Sequence, residues 1–120
     1  MSLVGSVNDR REAVVSLAVY GPQTQARVEA VIDTGFDGHL LLPDSMIHWL
    51  ALPRLGATVV PLGDGTSSLM RVYELAAQWL NERLLVEVLA GSANEVLLGT
   101  ALLAGRRLTI DCRSATVEIV

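Results

Sequence analysis

The chain has 120 residues, 51% of them apolar and 18% charged, with a formal net charge of −4 and an isoelectric point near 5.0. That length supports one domain around one core, no run reaches the roughly eighteen apolar residues of a membrane span, and no arginine cluster offers a footprint for nucleic-acid phosphates. Cys112 is the only cysteine, which excludes an internal disulfide, and His39, His48 and Cys112 lack metal-ligand spacing, so no zinc and no cofactor is expected.

Residues 1–11 show no basic segment followed by a long apolar stretch, and Asn8-Asp9-Arg10-Arg11-Glu12 is strongly polar. This predicts a flexible N-terminal segment ahead of a single domain over 12–120, in a cytoplasmic protein. Over 12–32, Val14, Val15, Val19, Val28, Val31 and Ile32 surround Gly21-Pro22-Gln23, the pattern of two strands joined by a turn. Asp33-Thr34-Gly35 follows directly and leads through Phe36-Asp37-Gly38 to a third apolar run, Leu40-Leu41-Leu42. A carboxylate delivered by Val31 and Ile32 to the end of a buried strand is costly unless it is paired, protonated or used.

Pro43 and Asp44 then introduce a short helix ending near Leu50, with Asp44 as the expected N-cap and Pro53 closing the segment. Residues 56–62 and 67–80 read as strands around Gly63-Asp64-Gly65-Thr66, whose glycines permit positive φ at a hairpin tip. Asn81-Glu82 is a turn, 84–89 a strand, 91–94 a loop, and Glu95-Val96-Leu97-Leu98-Gly99 a buried strand. Residues 100–104 suit one helical turn ended by Gly105. Strands over 108–112 and 116–120 finish the chain, with Cys112 a small core residue. Trp49 and Trp79 are expected in the core or an interface, Met46 and Met70 in the core, and His39 and His48 on the surface. The fold class is mainly β with one or two short helices.

Asp33-Thr34-Gly35 after a hairpin, a glycine-tipped hairpin at 63–66, and Val96-Leu97-Leu98-Gly99 before a short helix together resemble the retropepsin-like aspartic proteases. That single-domain group includes retroviral proteases and bacterial and archaeal relatives, and the resemblance spans residues 12–112. It implies a small closed acid-protease-like β-barrel that supplies half of an active site, two copies forming a homodimer about a two-fold axis. One Asp-Thr-Gly per chain fits that arrangement.

By the same resemblance, the two Asp33 carboxylates share one proton, one activating a water while the other donates to the carbonyl of a peptide or protein substrate. Thr34 would hydrogen-bond across the axis and Gly35 would meet substrate backbone. Gly63, Asp64 and Gly65 would close as a flap, Phe36 and Asp37 would flank the substrate, and Gly99 would let the chain pass close behind the catalytic loop. An apolar groove formed by Val31, Phe36, Leu40 or the flap implies a preference for apolar substrate side chains.

Two residues depart from the family pattern. Phe36 stands where Ala or Ser is usual, and Thr100 stands where the retroviral members carry an arginine that pairs with an acid matching Asp37; Arg106 and Arg107 are the arginines that follow. These departures keep a second reading open, a non-catalytic dimeric barrel that binds peptides or partner proteins. The strand 116–120, beyond the usual end of the family's fold, is a candidate part of the dimer interface.

Overall fold

The computed structural model describes residues 2–120. Strands hold 55% of the chain and helices 9%, which makes the protein mainly β. In chain order the elements are β1 (Leu3–Val7), β2 (Ala13–Tyr20), β3 (Gln25–Ile32), β4 (Leu40–Pro43), α1 (Asp44–Leu50), β5 (Arg54–Pro61) and β6 (Ser67–Trp79). They continue with β7 (Glu82–Gly91), β8 (Leu97–Leu98), α2 (Thr100–Leu103), β9 (Leu108–Asp111) and β10 (Thr116–Ile119).

Side chains alternate between the two faces of a strand, and the sequence follows that period. Ala13, Val15, Leu17 and Val19 of β2, Leu75, Ala77 and Trp79 of β6, and Val86 and Val88 of β7 point into one core. β4 and β8 are instead continuous apolar runs, as expected for strands covered on both sides. The strands join in the order β5-β6-β7-β4-β8-β3-β2-β1-β10-β9. A further pairing, Val19 with Ala77 and Tyr20 with Ala76, links β2 to β6. It closes the six strands from β6 to β2 into a barrel, leaving β5 attached outside through β6, and β1, β10 and β9 outside through β2.

Residues 2–11 depart from the flexible N-terminal segment expected over 1–11, of which Met1 lies outside the described residues. Leu3–Val7 forms β1, inserted between β10 and the start of β2, with Leu3 opposite Ile119 and Val7 opposite Ala13. Backbone pairing on both sides, together with the packing of Leu3 and Val7 on the core, orders this segment. Cys112 is exposed, because β9 ends at Asp111 and the chain turns there; it is not a core residue. Trp79 is buried as expected, whereas Trp49 is 60% exposed on the outer side of α1.

α1 buries Ile47 and Leu50 against the barrel. Pro43 occupies its N-cap position, so Asp44 is the first helical residue and not the cap; its carboxylate pairs with Arg71 of β6 instead. The helix closes at Ala51, whose left-handed conformation turns its N–H back to the His48 carbonyl at 3.1 Å. Among the described residues no helix is long and apolar enough to cross a membrane.

Candidate active site

β8 lies between β3, to which it is parallel, and β4, to which it is antiparallel. Residues 33–39 must therefore cross over the end of β8 to get from β3 to β4. This crossing places Asp33 at the mouth of the barrel. Its N–H donates to the Leu98 carbonyl at 3.0 Å, one step beyond the Val31 N–H to Val96 carbonyl bond at 2.8 Å, so β3 runs in register up to the carboxylate.

The crossing loop is fixed mostly by backbone bonds. The Gly35 N–H donates to Asp33 Oδ1 at 2.9 Å, and the Phe36 N–H to the Asp33 carbonyl at 3.1 Å, a tight turn closed by the aspartate itself. The N–H groups of Thr100 and Ala101 donate to the carbonyls of Phe36 and Gly38 at 2.9 and 3.2 Å. The start of a helix has donors with no partner inside the helix. Here the crossing loop supplies the acceptors, and in return α2 holds the loop.

Gly99 makes this approach possible. A Cβ at Gly99 would lie 2.2 Å from the Gly38 carbonyl oxygen and 2.6 Å from that of Phe36, closer than atoms can pack. The Phe36 ring lies over the same spot, since a Cβ on Gly99 or Gly38 would fall 2.7 or 2.6 Å from ring atoms. Phe36 is thus folded back onto Gly38 and Gly99. Asp33 is half-buried, while Thr34 and Gly35 are exposed at the crest of the loop.

The second component is the β5–β6 hairpin. Its tip is shaped by Leu62 N–H to the Thr66 carbonyl at 2.8 Å, and by Asp64 Oδ1, which accepts from the Thr66 hydroxyl at 2.6 Å and the Thr66 N–H at 3.0 Å. The Thr66 hydroxyl, then its N–H, hold the Asp64 carboxyl below its ordinary range. Gly63, Asp64 and Gly65 are all exposed, and Gly65 has φ +88°.

Between the hairpin arm and the crossing loop lies a cavity of about 330 Å³. Asp37, Gly38 and His39 form one wall, residues 58–61 of β5 the facing wall, and Glu87, Leu89 and Ala101 the remainder. Asp33 and the hairpin tip do not line it. His39 is no bystander, since its Nδ1 accepts the Glu87 N–H at 3.3 Å and ties the loop to β7.

The structure therefore brings Asp33, Thr34, Gly35, Phe36 and Gly99 together in one assembly and places Asp37 beside the cavity. Gly63, Asp64 and Gly65 lie at the hairpin end. Gly38, His39 and Glu87 were missed by reading the sequence. Gly38 carried a local signal, a second glycine in the same loop, whereas Glu87 joins the cavity only through strand pairing. Among the described residues no group of three or more His, Cys, Asp or Glu side chains is placed to hold a metal ion.

No protein-family model and no curated protein sequence matches the chain. Solved structures do. A retropepsin-like aspartic protease from Rickettsia conorii aligns with a TM-score of 0.67 and 13% identity, over 99% of this chain and 89% of that one. EIAV protease, complexed with the inhibitor HBY-793, aligns at 0.63 and 13% identity over 80% of this chain and 88% of its own. The simian foamy virus protease aligns at 0.52 and 18% identity over 73% and 90%. At these identities the likeness is one of fold, and the fold is retropepsin-like.

Proposed function

We propose that this retropepsin-fold chain is one half of a homodimeric aspartic endopeptidase, with Asp33 of each subunit as its catalytic residue. One observation carries the reading: half-buried Asp33, followed by exposed Thr34 and Gly35, sits on a loop fixed by β8 and α2, and the same loop continues into the wall of a cavity bounded by a hairpin arm. The Gly35 N–H engages Oδ1 of Asp33, and no hydrogen bond within the chain engages Oδ2 or the exposed Thr34 hydroxyl among the described residues. A second copy meeting it about a two-fold axis gives both groups a partner.

In that dimer the two Asp33 carboxylates share one proton, because two like charges in contact cannot both persist. The ionised member removes a proton from a water, which attacks the peptide carbonyl carbon. The protonated member donates to the carbonyl oxygen. Collapse of the resulting diol breaks the C–N bond, with a proton passing to the departing amine, and no covalent intermediate forms on the enzyme. Gly35 N–H holds Oδ1 of each carboxylate in the plane of the loop, so orientation is set before substrate arrives. The hairpin closes over the peptide and excludes bulk water.

The test is Asp33→Asn, which keeps the size and removes the acid–base chemistry. Cleavage of a peptide library by the wild type should fall by roughly a thousandfold or more in kcat, with the melting temperature little changed. Sedimentation should show a dimer at the enzyme concentration used. Equal cleavage by both proteins, or full activity from a strict monomer, would overturn the proposal. Peptide binding without turnover would identify a non-catalytic barrel instead.

A further inference from the structure

The cavity beside the crossing loop carries a charge pattern that the apolar groove expected from the family resemblance does not explain. Asp37 and Glu87 both line it, and no arginine does. Thr100 occupies the place where the family resemblance implies an arginine paired with Asp37; its hydroxyl donates to the Phe36 carbonyl at 3.4 Å instead. The ion pair found among the described residues is Arg71 with Asp44. It lies on the opposite face of β6 from Glu74, since successive side chains in a strand alternate. His39 turns its Nδ1 to accept the Glu87 N–H at 3.3 Å.

An independent observation points the same way. Glu74 of β6 is directly opposite Glu87 of β7, on the same face of an antiparallel pair. Like charges so placed repel, and no ion pair relieves them among the described residues. Of the cavity's other lining residues, Val59, Val60, Pro61, Leu89 and Ala101 are apolar and Thr58 is polar. A cavity lined by both aliphatic side chains and two carboxylates matches a long side chain with a methylene stem and a cationic end. The metal alternative fails on ligand number.

We infer that this cavity is a subsite for an arginine or lysine side chain of the substrate, with Asp37 and Glu87 as its specificity-determining residues. The inference rests on the protease reading of Asp33. In effect the substrate supplies the cation that Thr100 does not.

Peptides identical except for Arg, Lys, norleucine or Glu at each position around the scissile bond test it. Cleavage by the wild type is compared with binding, by fluorescence anisotropy, to the Asp33→Asn protein. At one position Arg should exceed norleucine by about fivefold in kcat/KM, the scale of two partly exposed ion pairs. Glu87→Gln should reduce that ratio, Glu87→Gln with Asp37→Asn should bring it to about one, and Glu87→Arg should favour the Glu peptide at the same position. A merely structural role for Glu87 would not reverse the preference. Circular dichroism confirms that each variant folds, and the Glu87 changes lie on an exposed strand face. No Arg preference at any position, or a preference that survives the double substitution, overturns the inference while leaving the protease reading intact. If the wild type cleaves nothing, the protease reading falls and anisotropy decides the cavity's role. Tighter Arg binding that Glu87→Gln removes supports the cationic subsite, and equal or absent binding overturns it.

Discussion

The crossing loop at 33–39 and the β5–β6 hairpin are held in opposite ways. The loop rests on Leu40 and Leu98, both fully buried, and hydrogen bonds to β8, α2 and β7 fix it from three sides. The hairpin's outer part is a two-stranded ribbon, with Arg54 to Pro61 pairing along β6 alone. It leaves Leu55, Val59, Leu62 and Leu69 exposed, Leu69 by 72%. A two-stranded ribbon is marginally stable by itself in water. The folding energy of the barrel therefore goes to the groups that must be placed accurately, while the hairpin's apolar surface waits for whatever it covers.

Substitutions sharpen this contrast. Gly99→Ala should cost about 3–4 kcal/mol of stability, because its Cβ must displace two loop carbonyls and the Phe36 ring. Urea unfolding measures it, and a loss below about 1 kcal/mol would show that the loop yields. Leu98→Ala, at a fully buried position, should cost about 2–5 kcal/mol through cavity formation. Leu69→Ser should change stability by less than about 0.5 kcal/mol, because its side chain is 72% exposed, and on the proposed protease function it should raise KM for peptides. Equal effects of Leu69→Ser and Leu98→Ala on stability would erase the distinction between the two regions. Arg71→Ala, which removes an exposed ion pair between α1 and β6, should cost about 0–1 kcal/mol.

The smallest effect concerns acid. Thr66 holds the Asp64 carboxyl below its ordinary 3.8, so this contact's contribution to the tip is complete above that value and is lost as the pH falls through the lowered one. Hydrogen exchange of the Thr66 amide should therefore keep its protection at mildly acidic pH and lose it only in stronger acid. In Asp64→Asn that acid-induced step should disappear.

Much of the barrel was legible because its strands advertise themselves. The alternation in β2 and β6 and the continuous apolar runs of β4 and β8 bracket Asp33 without any tertiary information. β1 was not legible, for a physical reason. Gly5 reads as a strand breaker, yet it is demanded by packing, since a Cβ there would lie 2.0 Å from the Val14 carbonyl oxygen. Barrel closure through only two residue pairs between β2 and β6 leaves no local trace either. The same division runs through the candidate site. Asp33, Thr34, Gly35 and Asp37 fall within five consecutive residues and could be read together, while Glu87 is forty-eight residues from His39 and joins it only once β4 and β7 pair.

β1 also brings the first and last strands side by side, with Leu3 the register partner of Ile119. Antiparallel neighbours of this kind stand about 4.5–5.5 Å apart. A short peptide could therefore join Ile119 to Leu3 without disturbing a strand, and the chain could be reopened at the exposed tip between Gly63 and Asp64. Such a permuted chain would keep every barrel strand continuous while cutting the hairpin into two free ends. It would separate, in one molecule, the barrel from the ribbon that projects from it.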